Sequence, residues 1–122
     1  RTEPGPRRVA TDLGVIGFQL TSAQAIFNSA SGVAAMTVNG GGLDIDFQDG
    51  TFETDLDLLS DLTGRILFSA QGKVVDGGFL RALEATQRVA GAVSLDGSEA
   101  GYLFEKQIEG GSVSGLTLWD GQ

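Results

Sequence analysis

A chain of 122 residues suits a single domain able to bury a real core. It carries a net charge of −8, 41% hydrophobic residues, 19 glycines, and neither cysteine nor histidine. That composition excludes a disordered chain, disulfides, thiolate catalysis, zinc–cysteine sites, a histidine-ligated haem and any Ser-His-Asp triad.

The basic residues Arg1, Arg7 and Arg8 crowd the opening segment, which leaves the rest of the chain strongly acidic. A nucleic-acid or anionic-membrane surface would need a basic patch instead. No apolar run is long enough for a transmembrane helix. Arg1 rather than Met comes first, which reads as a processed chain or an excised fragment.

Residues 1–12 are polar around Pro4, Gly5 and Pro6 and read as a flexible arm or linker. Residues 13–122 form the folded domain. From Leu13 onward the pattern is β: Ile16, Phe18 and Leu20 alternate with Gly17 and Gln19. Residues 21–32 read either as an extension of that strand through Ala25 and Phe27 or as a short helical turn. A further apolar run at 33–38 is closed by Asn39-Gly40-Gly41-Gly42, a turn signal.

Next, Leu43, Ile45 and Phe47 alternate with Asp44, Asp46 and Gln48 up to Asp49-Gly50, a two-residue turn. Phe52, Thr54 and Leu56 then alternate with Glu53, Asp55 and Asp57. A two-residue register sets Phe47 opposite Phe52, Ile45 opposite Thr54 and Leu43 opposite Leu56, all on one face. Beyond Gly64, the run Ile66, Phe68, Ala70 continues to Val75, and Asp76-Gly77-Gly78 turns the chain. A short strand covers 79–84, and the polar stretch 84–87 reads as a loop.

In a second hairpin, Val89, Gly91, Val93 and Leu95 lead to Asp96-Gly97, and 98–104 returns. Its register puts Gly91 opposite Tyr102 and Val89 opposite Phe104, so that an aromatic ring covers a glycine. Gly110-Gly111 turns once more, and Val113 to Trp119 is the last strand. Short turns force antiparallel neighbours, and a meander of about eight strands closes into a small barrel. The outward positions read as Asp, Glu, Gln and Ser, unlike the apolar band of a membrane barrel.

The stretch Gly41-Gly42-Leu43-Asp44-Ile45-Asp46-Phe47, followed by Gly50-Thr51-Phe52-Glu53-Thr54, resembles the "G-x-x-x-V-D-F … T-x-S-G" strand pair of transferrin-binding-protein-B-like barrels. Val89-Ala90-Gly91-Ala92-Val93 with Glu99-Ala100-Gly101-Tyr102-Leu103-Phe104 is similar to their closing hairpin. The ending through Gly115-Leu116-Thr117-Leu118-Trp119 also resembles the C-terminal domain of some bacterial FecR-domain proteins. The likeness covers roughly residues 14–119. It implies an eight-stranded barrel on an exported or surface-anchored bacterial protein, hence an extracytoplasmic place in the periplasm, on the outer-membrane surface or outside the cell. Roles in iron acquisition, iron-linked signalling or host-protein binding are implied too. The chain is shorter than the host-binding members and lacks a second lobe, so no binding residue carries over.

The unusual local feature is an acidic face. In the two-residue register Asp46 opposes Glu53 and Asp44 opposes Asp55, with Asp57 further along. Like charges directly opposite are destabilising, which makes these five residues a candidate Ca²⁺ site or a face for a cationic partner. Their spacing only superficially resembles a Ca²⁺ loop, whose ligands converge on one point. The alternative is a solvated, edge-protecting face. A catalytic carboxylate pair needs something apolar to raise one pKa, and this face offers nothing of the kind. The two lysines, Lys73 and Lys106, stand in no Ser-x-x-Lys motif, and no phosphate loop follows Gly40-Gly41-Gly42.

The sequence therefore predicts a non-catalytic binding or sensing barrel, with no cofactor other than a candidate Ca²⁺. A protein partner or self-association is expected ahead of a small molecule. The alternative is a structural, self-assembling subunit joined by strand addition, with residues 21–32 and the last strand as the expected edges.

Overall fold

The structure, a computed structural model, describes residues 14–94 and 96–121; the expected arm at 1–12, together with Leu13 and Leu95, lies outside them. The described residues form an all-β meander: β1 (Val15–Ser29), β2 (Gly32–Asp46), β3 (Thr51–Ser60), β4 (Gly64–Val75), β5 (Phe79–Leu83), β6 (Gln87–Val93), β7 (Glu99–Ile108) and β8 (Gly111–Gly121). Each strand pairs antiparallel with the next, and β8 returns to β1 to close an eight-stranded barrel. The closing ladder sets residues 18–29 against 111–121, with one bulge between Leu20 and Ser22.

Strand alternation decides what lies inside. Along β3 the apolar side chains Phe52, Leu56 and Leu58 are buried while Glu53 and Asp55 are exposed. The same period on β6, β7 and β8 buries Val89, Val93, Tyr102, Phe104, Val113 and Trp119. Aromatic rings fill the centre: Phe68 and Phe104 lie 5.0 Å apart, and Tyr102 stacks on Trp119 at 5.9 Å. Full burial of each such side chain contributes about 1.5–3 kcal/mol, and Ile16, Leu20, Val38, Ile66, Val74 and Ile108 pack against this core half-buried.

Several sequence expectations change in the structure. Residues 21–32 are strand to Ser29, and the chain turns at Ala30-Ser31. The Asn39-Gly40-Gly41-Gly42 segment is no turn: β2 runs through it, with a bulge between Val38 and Gly40. Gly41 is required there by close approach, since a Cβ would meet the Leu56 side chain at 2.7 Å and the backbone of Asp55. The glycines let a 15-residue strand bend around the barrel.

The β2–β3 hairpin is offset by two residues from its expected register. Ile45 pairs with Phe52, Leu43 with Thr54 and Asp44 with Glu53. The cause is a four-residue loop at 47–50. Asp46 accepts backbone hydrogen bonds from Gln48 and Asp49 at 3.0 Å, while Gly50 N–H returns to Asp46 C=O at 2.8 Å. Phe47 leaves the ladder and plugs the barrel end, buried, with its N–H donated to Gly14. An offset of two keeps every side chain on its expected face.

The β6–β7 hairpin has the expected register, Gly91 opposite Tyr102 and Val89 opposite Phe104. Its turn is tied by Asp96, whose carboxylate is held below the usual range first by the Ser98 hydroxyl, then by the Ser98 backbone N–H and the Ser94 hydroxyl. Gln87, expected in a loop, instead opens β6 and is buried. Of the expected free edges, the last strand and residues 25–29 are paired on two sides, and residues 22–24 pair with β8 alone.

Candidate functional site

Around the filled core, the outer wall divides by chemistry. On β2 and β3 it is acidic. Asp44 and Glu53 are directly opposed, so one like-charge pair exists, though not the pairs expected from a two-residue turn. Asp55 lies opposite Gly42, and its carboxylate rests over that glycine, 2.9 Å from where a Cβ would sit. Asp44 covers Gly17 of β1 in the same way, at 3.2 Å. The missing side chains on the neighbouring strands give these carboxylates room to spread.

The other two candidates are engaged elsewhere. Asp46 caps the 47–50 loop. Asp57 takes a two-pronged contact from Arg65, at 2.9 and 3.1 Å, and that contact raises the Arg65 pKa. No group of three or more acidic side chains converges on a metal position among the described residues. A shallow groove of about 440 Å³ does run past Asp44, Asp46 and Glu53 beside Gln71 and Gly72.

The opposite wall is apolar, which corrects the expectation of uniformly polar outward positions. On β7 and β8, Leu103 pairs with Leu116, and both point outward, 59% and 41% exposed. Ala90 extends the row on β6, and Leu118 stands beside Gly101 in the next row. Leu103, Leu116 and Ala90, with Ile26 of β1, border a groove of about 510 Å³ above Gly115. Gly115 lies on the groove floor and only glycine fits there, because an inward Cβ would strike the backbone of Gln24 and Ala25 and the Phe104 ring. The Arg88–Glu105 ion pair, at 3.2 Å, closes one end. Such a surface takes apolar side chains with a charged residue at the rim.

Inside, the polar groups are satisfied by one another. Thr54 donates to Gly42 C=O at 2.7 Å, so the Tyr102 hydroxyl is the donor in its 2.6 Å bond to Thr54 Oγ1. Trp119 Nε1–H donates to Thr117 Oγ1 at 2.7 Å, and Thr117 donates to Tyr102 C=O at 3.3 Å. Burial, above all, pushes the Tyr102 pKa up to about 12. Gln87 ties the opposite end, donating to Ser69 C=O at 2.7 Å and accepting from Lys106 Nζ at 3.0 Å. Sequence reading placed Thr54 on the inward face without its hydrogen-bonding role and missed Thr117 and Gln87, although polar residues at inward positions of an alternating strand were the available signal.

The fold places this chain in the class of closed, eight-stranded antiparallel barrels. Among solved structures, five chains match it. One is intact Ap-TbpB, solved with its N and C lobes: TM-score 0.63, 17% identity, covering 94% of this chain and 28% of that chain. The likeness is one of fold, and it agrees with the barrel that the sequence motifs imply. No family model matches the sequence, and no curated protein matches it. No helix among the described residues is long and apolar enough to cross a membrane.

Proposed function

We propose that this domain is a non-catalytic binding or sensing module of an exported bacterial protein, acting outside the cytoplasm through its outer wall. The observation that carries this reading is the division of the surface. An apolar groove on β1, β8, β7 and β6 and an acidic wall on β2 and β3 enclose a core filled with side chains. Solid barrels present walls, not pockets, and an apolar groove bounded by an ion pair fits a protein partner better than a small molecule.

A link to iron acquisition or iron-linked signalling rests on the likeness to transferrin-binding-protein-B-like and FecR-domain sequences. The chain spans 28% of the Ap-TbpB chain, so that protein's own partner is not assigned here. The acidic wall serves solubility and repels wrong partners in this reading.

The lack of native cysteine makes the test clean. A benzophenone is attached at Leu103→Cys or, as control, at Asp44→Cys, and the purified, labelled domain is irradiated with candidate envelope proteins. A saturable adduct from position 103 and none from position 44 is expected. Adducts from neither position, or equally from both, would overturn the reading.

A further inference from the structure

The ladder of the closed barrel is interrupted in two places: β1 and β2 do not pair between residues 19–24 and 37–42, and at another corner β4 pairs with β5 over three residues only. β4 pairs with β3 along 64–73, but with β5 only at Lys73, Val74 and Val75. From Gly64 to Gln71 no strand among the described residues pairs with its other side, while Gly72 packs against Arg81 and Ala82 of β5. Alternation shows which backbone groups are left. Val74 N–H points to Gly50, on the β3 side, and Ser69 C=O points away, to the Gln87 side chain. In a regular strand, Arg65 and Leu67 therefore turn both N–H and C=O to the open side, and Ser69 turns its N–H there.

Natural sheets protect such edges with lysine, proline or inward charges. None guards this stretch. It contains no lysine and no proline, and Arg65 is held sideways by Asp57. Instead Leu59, Leu62 and Leu67, exposed by 44%, 70% and 62%, gather at this corner.

We propose that β4 is a self-association edge, where a second copy of this chain adds its own β4 antiparallel about a two-fold axis at Leu67. The edge is self-complementary in that register. Leu67 meets its own copy, which covers two exposed leucines at once. Arg65 falls opposite Ser69 of the other copy, so no like charges oppose each other. The outward groups exchange about four ladder hydrogen bonds, two between the Leu67 residues and two from Ser69 N–H to Arg65 C=O, with the Ser69 carbonyls kept by Gln87. Two barrels then share one continuous sheet, with the apolar groove above Gly115 left free on a different wall.

The experiment is light-scattering mass across a micromolar to millimolar series of the whole chain. The expected result is a rise toward twice the 12.6 kDa of one chain. Leu67→Pro removes one outward N–H and no bond of the β3–β4 ladder, so it should hold the protein monomeric at every concentration. Leu67→Lys should do the same and guards against misfolding by proline, with Trp119 emission reporting the fold of both. A monomer throughout the wild-type series would overturn the proposal. So would a dimer unaffected by either substitution, or one abolished by Leu103→Lys, which would move the contact to the groove. A failure at β4 that leaves Leu103 uninvolved does not touch the crosslinking test at position 103, so the two readings fail separately.

Discussion

Tyr102 is the single tyrosine, so its ionisation is directly visible as tyrosinate absorbance. It is 1% exposed and gives its proton to Thr54, whose own proton goes to Gly42 C=O. Burial raises its pKa from 10.0 to about 12, assisted by the charge of Asp55 and opposed by the Thr54 and Thr117 hydroxyls. Between those values the unfolded chain has lost the proton that the folded chain keeps. Stability is therefore complete below the unfolded pKa and falls as pH rises through the folded one. At 1.36 kcal/mol per unit, the loss over the window is about 3 kcal/mol. Urea unfolding measured from neutral pH upward should show that decline. In Tyr102→Phe this share of the pH dependence should vanish. At neutral pH the same variant should lose about 1 kcal/mol, the worth of one buried hydrogen bond. Tyrosinate appearing at the ordinary pKa in the folded protein, or an unchanged pH slope in Tyr102→Phe, would refute the sealed environment assigned to this residue.

Three other outcomes follow from the same geometry. Gly91→Ala forces a Cβ against Tyr102 Cβ, 2.5 Å away, and against the Gly101 backbone. It should cost about 1–3 kcal/mol by urea denaturation, as overpacking does. Gln87→Ala leaves Ser69 C=O and Lys106 without their partner. It should cost about 1–2 kcal/mol and speed amide exchange in β4 and β6 ahead of the rest. Millimolar Ca²⁺ should leave the melting temperature unchanged, because Asp46 and Asp57 are engaged and Asp44 and Asp55 lean over different glycines; a rise would restore the metal reading.

What was legible in the sequence was whatever rests on alternation. Strand identity, facing and the barrel class follow from period-two patterns such as Phe52 to Leu58. The β6–β7 register also follows, because Asp96-Gly97 turns the chain in the expected register, with Ser94 N–H bonded to Glu99 C=O. Register in β2–β3 was not legible: Asp49-Gly50 looks like a whole turn, yet the Asp46 side chain recruits Phe47 and Gln48 into a longer one. The Gly40-Gly41-Gly42 run has the composition of a turn, but close approach of β3 to β2 demands the same residue type. For the candidate site, the acidic wall was visible because charges alternate with apolar residues. The groove above Gly115 was hidden, since it depends on which leucines of β7 and β8 meet across the ladder. The open edge of β4 was hidden as well, because it arises from the shortness of β5 and not from any residue of β4.

Central to this account is a barrel filled with its own side chains, which works through its walls. Trp119, the single tryptophan, reports on that directly, being 1% exposed, stacked on Tyr102 and bonded to Thr117. The measurement is its fluorescence under acrylamide and during titration with haem and other compact apolar ligands. Blue-shifted emission, untouched by quencher or ligand, is the expected result. Saturable quenching by a ligand, or ready access by acrylamide, would mean that the interior is a binding cavity and would contradict the account.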